Sequence, residues 1–84
     1  MRVYTIPDCS YCNELKSLLN NDNIPFTEIN VELPENEKEF IELTKISESE
    51  VVPLVKLGNK LLVPNKTFHT INDGYLLIKK LLSE

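Results

Sequence analysis

Alternating and helically spaced hydrophobic positions define the predicted elements in the first third of the chain. Residues 2–6 and 26–31 alternate apolar with polar side chains and are rich in β-formers, which predicts two strands. Between them, residues 10–21 predict a helix, whose apolar face is formed by Tyr11, Leu15, Leu18 and Leu19. The chain therefore begins with a strand, a helix and a second strand.

A second helix is predicted to begin near Pro34, because proline suits the first turn of a helix. The acidic residues that follow it lie at the positive end of the helix dipole, which favours the same start. The helix is predicted to extend to about Lys45, with Phe40, Leu43 and Ile46 facing inward.

A hairpin and a third helix complete the predicted elements. Residues 53–57 and 60–63 predict two strands joined by Gly58-Asn59, which has glycine first, as a type II′ turn requires. The last helix is predicted from Thr70 to Leu82, and its apolar face is formed by Ile71, Tyr75, Ile78 and Leu82.

The predicted order β-α-β-α-β-β-α indicates an α/β fold. A helix between the first two strands allows them to pair in parallel, whereas the hairpin makes the last strand antiparallel to its neighbour. We therefore expect a four-stranded mixed sheet flanked by helices, in a single domain that spans residues 1–84.

The charge of the chain argues against a nucleic-acid-binding protein, and its short apolar runs argue against a membrane-spanning one. With 84 residues and a net charge of −4, the chain lacks the basic face that a nucleic-acid-binding protein needs. Its longest apolar runs, such as Leu76–Ile78, are far too short to span a membrane. No secretory signal precedes the first predicted strand, so we expect a cytoplasmic protein.

The two cysteines form a C-x-x-C motif, Cys9-Ser10-Tyr11-Cys12, directly after a strand and at the start of a helix. A bridge across so small a loop removes little entropy from the unfolded chain, so a structural disulfide is a poor explanation. The motif also occurs as half of a zinc site, but only His69 remains as a further ligand and no metal is predicted. In a β-α-β context the motif indicates thiol–disulfide chemistry, although two buried, inert cysteines are the plain alternative.

The position of the motif predicts different roles for the two thiols. Cys9 lies at the helix start, where unpaired N–H groups and the helix dipole stabilise a thiolate, although Asp8 opposes this effect. Thiols in such positions have pKa values of roughly 3.5–7.5. Cys12 lies one turn further along and is expected to be less exposed. We therefore predict that Cys9 attacks a disulfide and that Cys12 resolves the mixed disulfide.

Taken together, these segments resemble a glutaredoxin, a member of the thioredoxin superfamily, of the dithiol C-S-Y-C type. The resemblance rests on residues 3–5, the motif from Pro7 to Cys12, residues 25–30 and Val52-Pro53-Leu54-Val55. It implies a thioredoxin-like fold and a monomeric disulfide oxidoreductase that uses glutathione as reductant, without a tightly bound cofactor. Its expected partners are glutathione and disulfide-containing proteins.

The resemblance also implies three binding residues. Tyr11 is expected to flank the glutathione groove, and Val52 to offer its backbone to the bound peptide in the manner of a strand. Local statistics favour a trans bond before Pro53, since only about 5–6% of X–Pro bonds in folded proteins are cis. In the superfamily, however, the matching proline is cis and faces the disulfide, so the resemblance implies a cis bond here.

Several residues depart from the usual glutaredoxin pattern. Ser10 replaces a common proline, Ile6 replaces a lysine, and residues 63–67 contain no Gly-Gly pair to hold glutathione. Serine in this place occurs in members that carry an iron–sulfur cluster between two subunits, which gives one alternative. Small redoxins that pass electrons from thioredoxin reductase to ribonucleotide reductase also depart from the Gly-Gly pattern, and they give a second alternative. Cations that remain to attract a glutathione carboxylate are Lys56, Lys60 and Lys66, whereas His69 is expected to be a solvated loop residue.

Overall fold

Four strands and three α-helices follow one another in the predicted order in a computed structural model that describes residues 1–84. The elements are β1 (Arg2–Thr5), α1 (Ser10–Asn21), β2 (Thr27–Asn30), a 3₁₀ turn (Pro34–Asn36), α2 (Glu37–Ser47), β3 (Leu54–Leu57), β4 (Lys60–Leu62) and α3 (Ile71–Leu82). The second helix thus begins later than predicted, because Pro34 starts a 3₁₀ turn that leads into it.

The sheet has the strand order β2-β1-β3-β4 and is mixed. Strands β1 and β2 are parallel, with Arg2 opposite Thr27, and α1 supplies the crossover that a parallel pair needs. Strand β3 is antiparallel to β1, and β4 is antiparallel to β3. The predicted thioredoxin-like α/β fold is confirmed, although the sequence pattern had not decided the direction of β3.

Each face of the sheet carries its own hydrophobic cluster. Because successive strand residues point to opposite faces, Val3 and Val55 contribute to one cluster and Tyr4 and Leu54 to the other. The first cluster buries apolar side chains of α1 and α3, namely Leu15, Leu19, Ile71 and Ile78. The second cluster buries Leu43 of α2, so α2 covers the opposite face. None of the three helices combines the length and apolarity needed to cross a membrane.

Three side chains predicted to lie on the apolar face of a helix are exposed instead. Tyr11 is 64% exposed in the first turn of α1. Ile46 is 71% exposed, because Ser47 takes the inward position one turn after Leu43. Leu82 is 49% exposed at the last position of α3, where Leu81 packs against the first cluster in its place. Ile46 and Leu82 both lie in the final turn of a helix, where the apolar stripe passes beyond the sheet.

Local geometry defines two of the junctions between elements. Thr70 precedes α3, and its Oγ1 accepts a hydrogen bond from the Asp73 N–H at 3.0 Å. Gly58 has a φ of 62° whereas Asn59 does not have a positive φ, which is the pattern of the predicted type II′ hairpin.

Candidate active site

The two cysteines lie at the N-terminal end of α1. Cys9 is the N-cap residue, with φ −97° and ψ 109°, and its Sγ accepts a hydrogen bond from the Cys12 N–H at 3.2 Å. Sulfur thus occupies the place where serine or aspartate oxygen usually caps a helix. Cys9 is partly exposed and Cys12 is fully buried, as predicted. The two sulfurs are joined in a disulfide.

A short turn delivers Cys9 to this position. Asp8 has a φ of 57°, in the left-handed region that aspartate tolerates better than most residues, and its side chain is exposed. The turn at Pro7-Asp8 reverses the direction of the chain between β1 and α1. The position of Cys9 is therefore defined by a few consecutive residues.

A cleft of about 430 Å³ is lined in part by the first turns of α1, the helix that carries the cysteines, although neither cysteine lines it. Its walls come from three segments of the chain: Tyr11 and Glu14 of α1, Val51, Val52 and Pro53 before β3, and a third set made of Pro64, Asn65, Phe68, His69, Thr70, Ile71 and Asn72. We refer to residues 7–14 as the dithiol wall and to residues 64–72 as the loop wall. The three residues expected to bind substrate, Tyr11, Val52 and Pro53, thus lie in one cleft.

The segment before β3 has two features that bear on binding. The Val52–Pro53 peptide bond is cis, as the resemblance implied, and Pro53 is buried. Neither the N–H nor the C=O of Val52 has a hydrogen-bond partner within the chain, although Val52 lines the cleft. Its backbone is therefore free to pair with an extended ligand.

The loop wall is held together by its own hydrogen bonds. The Asn65 N–H donates to the Phe68 carbonyl at 2.8 Å, and Pro64 and Phe68 form an isolated bridge. The Thr67 N–H donates to the Val63 carbonyl at 2.8 Å, and the Thr67 Oγ1 accepts from the Val63 N–H at 3.0 Å. A closed turn thus forms in the segment where the sequence analysis found no Gly-Gly pair.

Lys66, considered in the sequence analysis as a cation for a glutathione carboxylate, instead bonds backbone carbonyls. Its Nζ donates to the carbonyl oxygens of Ser47 at 2.8 Å and of Glu48 at 3.1 Å, at the C-terminal end of α2. A cation is stabilised there by the helix dipole and satisfies carbonyls that the helix leaves unpaired. Lys66 therefore ties the loop wall to the segment that leads into Val52, and neither it nor Lys56 or Lys60 lines the cleft.

A glycine in α3 sets the position of the loop wall. A Cβ atom on Gly74 would lie 2.9 Å from Cδ2 of Phe68, so only glycine allows α3 to approach this buried ring. Phe68 in turn lines the cleft. The sequence analysis did not identify either residue, although a glycine inside a predicted helix was a usable signal.

The dithiol wall is supported from behind by an ion pair. The Glu28 carboxylate of β2 accepts hydrogen bonds from Lys16 Nζ of α1 at 2.7 Å and from Thr5 Oγ1 of β1 at 2.9 Å. The bond from Lys16, with a smaller contribution from Thr5, holds the pKa of the Glu28 carboxyl below its usual value, although partial burial opposes this. The ion pair fastens α1 to the sheet close to where β1 leads into the cysteines.

Metal-ligating side chains do not gather anywhere in the structure. No group of three or more histidine, cysteine, aspartate or glutamate residues lies in a position to hold a metal ion. Within one chain, Cys9 and Cys12 are the thiolate ligands on offer, so an iron–sulfur cluster would need ligands from elsewhere.

A glutaredoxin family model matches residues 2–62, which include the cysteine pair, the cis-proline segment and all four strands. The chain belongs to the glutaredoxin family. It is also similar to an uncharacterized glutaredoxin-like 8.6 kDa protein in the rubredoxin operon of Clostridium pasteurianum, with 29% identity over 63 residues, 75% of this chain and 81% of that protein. Family membership supports a thiol–disulfide oxidoreductase role for this glutaredoxin. The family match ends before the loop wall.

Proposed function

We propose that this glutaredoxin reduces protein disulfides or glutathione mixed disulfides through the pair Cys9 and Cys12. The observation that carries the proposal is the asymmetry of the pair: Cys9 caps a helix and is partly exposed, whereas Cys12 is buried. We further propose that residues 1–84 act as one domain and as a monomer, in the cytoplasm, where thiols are kept reduced.

The chemistry begins from the reduced pair. The Cys9 thiolate attacks one sulfur of the substrate disulfide, forms a mixed disulfide and expels the other sulfur as a thiolate, which takes up a proton. The thiolate of Cys12 then attacks Cys9 Sγ and releases the second substrate thiol. Two electrons pass to the substrate, and the protein is left with the Cys9–Cys12 disulfide.

Substrate is proposed to lie along the cleft between Tyr11 and Val52. The unpaired N–H and C=O of Val52 support strand-like pairing with the substrate backbone, which would orient its sulfur towards Cys9. The exposed ring of Tyr11, at 64% exposure, supplies an apolar surface on the opposite side. Pro53 shapes the floor of the cleft between them.

Glutathione is the proposed reductant, with a raised KM. The cleft lining contains neither lysine nor arginine for the two carboxylates of glutathione. It does contain the first residues of α3, where the N–H groups of Ile71 and Asn72 have no partner within the chain. Two molecules of glutathione would return the disulfide to the dithiol and leave as oxidised glutathione.

A second candidate is a redoxin that receives its electrons from thioredoxin reductase and passes them to a protein such as ribonucleotide reductase. The observation that favours it is the same lack of a basic side chain in the cleft, together with a loop wall outside the family match. A protein reductase does not need to place a free carboxylate there.

A coupled assay separates the two candidates. NADPH oxidation is followed on one disulfide substrate, first with glutathione and glutathione reductase and then with thioredoxin reductase. We expect turnover with glutathione that saturates only at high glutathione concentration. Fast turnover with thioredoxin reductase and none with glutathione would reject glutathione as the reductant and support the redoxin.

A further inference from the structure

We propose that Glu14 is a specificity-determining residue that selects disulfides with a cationic side chain next to the reacting cysteine. The inference rests on the proposed function, because it concerns substrates of the same dithiol. Glu14 supplies the sole carboxylate in the wall of the cleft, on the same helix face as Tyr11. Its side chain is exposed and has no hydrogen bond or ion pair within the chain, so its charge is free to act on a ligand.

No opposing cation belongs to the cleft. The lysines nearest to its walls along the chain are engaged elsewhere, Lys66 by the carbonyls at the end of α2 and Lys16 by Glu28 at 2.7 Å. The remaining ionisable lining residue is His69, on the loop wall opposite Glu14. A substrate cation beside the disulfide would therefore meet an unpaired carboxylate, and a substrate anion would meet no basic side chain with a fixed charge.

The surroundings of the cleft carry the same sign of charge. Asp8 directly precedes Cys9, and Glu50 directly precedes Val51, and both side chains are exposed. The whole chain has a net charge of −4, which attracts cationic ligands from a distance. Glu14 differs from these groups by lining the cleft itself, so its effect should depend on the residue beside the substrate sulfur.

The test uses three symmetric disulfides, each a dimer of an acetylated and amidated tripeptide, Ala-Cys-Lys, Ala-Cys-Glu or Ala-Cys-Gln. Stopped-flow mixing with the reduced protein gives the second-order rate constant for each disulfide. Each constant is divided by the rate constant of the same disulfide with dithiothreitol, which removes differences in intrinsic reactivity. Symmetric disulfides make both sulfurs equivalent.

At low ionic strength we expect the lysine disulfide to react about fivefold faster than the glutamate disulfide, the size that one exposed charge pair allows. The preference should shrink at 0.5 M salt, because salt screens exposed charges. Glu14→Gln should reduce the preference to less than about twofold. Repeating the measurement in a His69→Gln background should leave the preference in place, so that the imidazole is not its source.

Glu42→Gln is the matched control, since Glu42 is also an exposed, unpaired helix glutamate but lies on α2, outside the cleft. It changes the net charge by the same amount and should leave the preference unchanged. Equal normalised rates for the three peptides, or an equal loss of preference in both variants, would overturn the role of Glu14. If even the neutral glutamine peptide did not react, the proposed function itself would fail.

Discussion

The two walls of the cleft are built in different ways. The dithiol wall consists of consecutive residues, because one turn and one helix start place Cys9, Tyr11 and Glu14. The loop wall depends on contacts between residues far apart in the chain, such as that of Lys66 with Ser47. The family match covers the first wall and ends before the second. We infer that local sequence places the dithiol and its neighbours, whereas the shape of the opposite side of the cleft depends on tertiary packing.

The largest effects are expected at the dithiol wall. Cys9→Ser should abolish disulfide exchange, because no other thiolate lies at the helix start. Cys12→Ser should accumulate mixed disulfides with protein substrates while retaining some exchange with glutathione, which can resolve them itself. Mass spectrometry of the trapped adducts and a coupled reductase assay measure the two outcomes. The assignment would be reversed if Cys9→Ser formed the adducts.

Gly74→Ala should disturb the packing of the loop wall without changing the reactivity of Cys9. Alanine is favoured over glycine in a helix by up to about 1 kcal/mol, but its Cβ would meet the ring of Phe68 at 2.9 Å. Overpacking of this kind costs about 1–3 kcal/mol, so we expect a net loss of stability in urea unfolding. The KM for a peptide disulfide should rise, whereas the rate of Cys9 alkylation should not change.

Ser17→Ala on the exposed side of α1 is the matched control and should stay within about 0.5 kcal/mol of the parent protein. A stabilised Gly74→Ala variant with unchanged KM would mean that Phe68 moves away at no cost. The contact between α3 and the loop wall would then not determine the shape of the cleft.

Lys66→Met should have a smaller effect of the same kind. Methionine keeps most of the apolar stem but removes the ammonium group that bonds two carbonyl oxygens at the end of α2. We expect a loss of about 1 kcal/mol in the free energy of unfolding and a higher KM for peptide disulfides. Lys38→Met, an exposed lysine without a hydrogen bond, should change neither. Equal effects of the two substitutions would count against Lys66 as a tie between the loop wall and the end of α2.

The smallest expected effect is a difference between the two walls in how their stability depends on pH. The lowered pKa of Glu28 means that its ion pair with Lys16 stabilises the protein above the ordinary glutamate pKa, and that this contribution is lost as the pH falls through the lowered value. Lys66 bonds carbonyl oxygens, which do not titrate. Acid should therefore weaken the ion pair that holds the dithiol wall to the sheet, and should leave the hydrogen bonds of Lys66 at the loop wall unchanged.

The measurement is urea unfolding of the parent and of Glu28→Gln between about pH 7 and about pH 3. Since Glu28 is 43% exposed, the parent should lose only about 0.2–1 kcal/mol more than the variant. Glu32 is an exposed glutamate whose side chain has no partner, so Glu32→Gln should show the same pH dependence of the free energy of unfolding as the parent. An identical pH dependence in Glu28→Gln and the parent would show that the ion pair contributes nothing to stability.

The sequence predicted best where structure depends on neighbouring residues. Helix α1 has the predicted bounds, Ser10–Asn21, because its apolar stripe and its polar end are both local signals. The cis bond before Pro53 required the resemblance to a family, since local statistics favour trans. The direction of β3 depends on packing of the whole chain and was not predicted.

The loop wall could not be predicted for the same reason. Nothing near Lys66 in the sequence indicates that its partners are carbonyl oxygens at the end of another helix. The role of Phe68 depends on how closely α3 approaches it, and Glu14 becomes noticeable only when the rest of the cleft lining is known. Side chains whose roles arise from tertiary contacts leave little trace in a single sequence.

The most direct test of the central claim is the pH dependence of alkylation of the reduced protein. A limiting amount of iodoacetamide is added between about pH 4 and about pH 9, and peptide mass mapping identifies the modified cysteine. We predict that Cys9 reacts first and that its rate is half-maximal at least about one pH unit below the value of about 8.5 for a free thiol. First reaction at Cys12, or a rate at Cys9 that still rises steeply near pH 8.5, would contradict the assignment of Cys9 as the attacking thiolate.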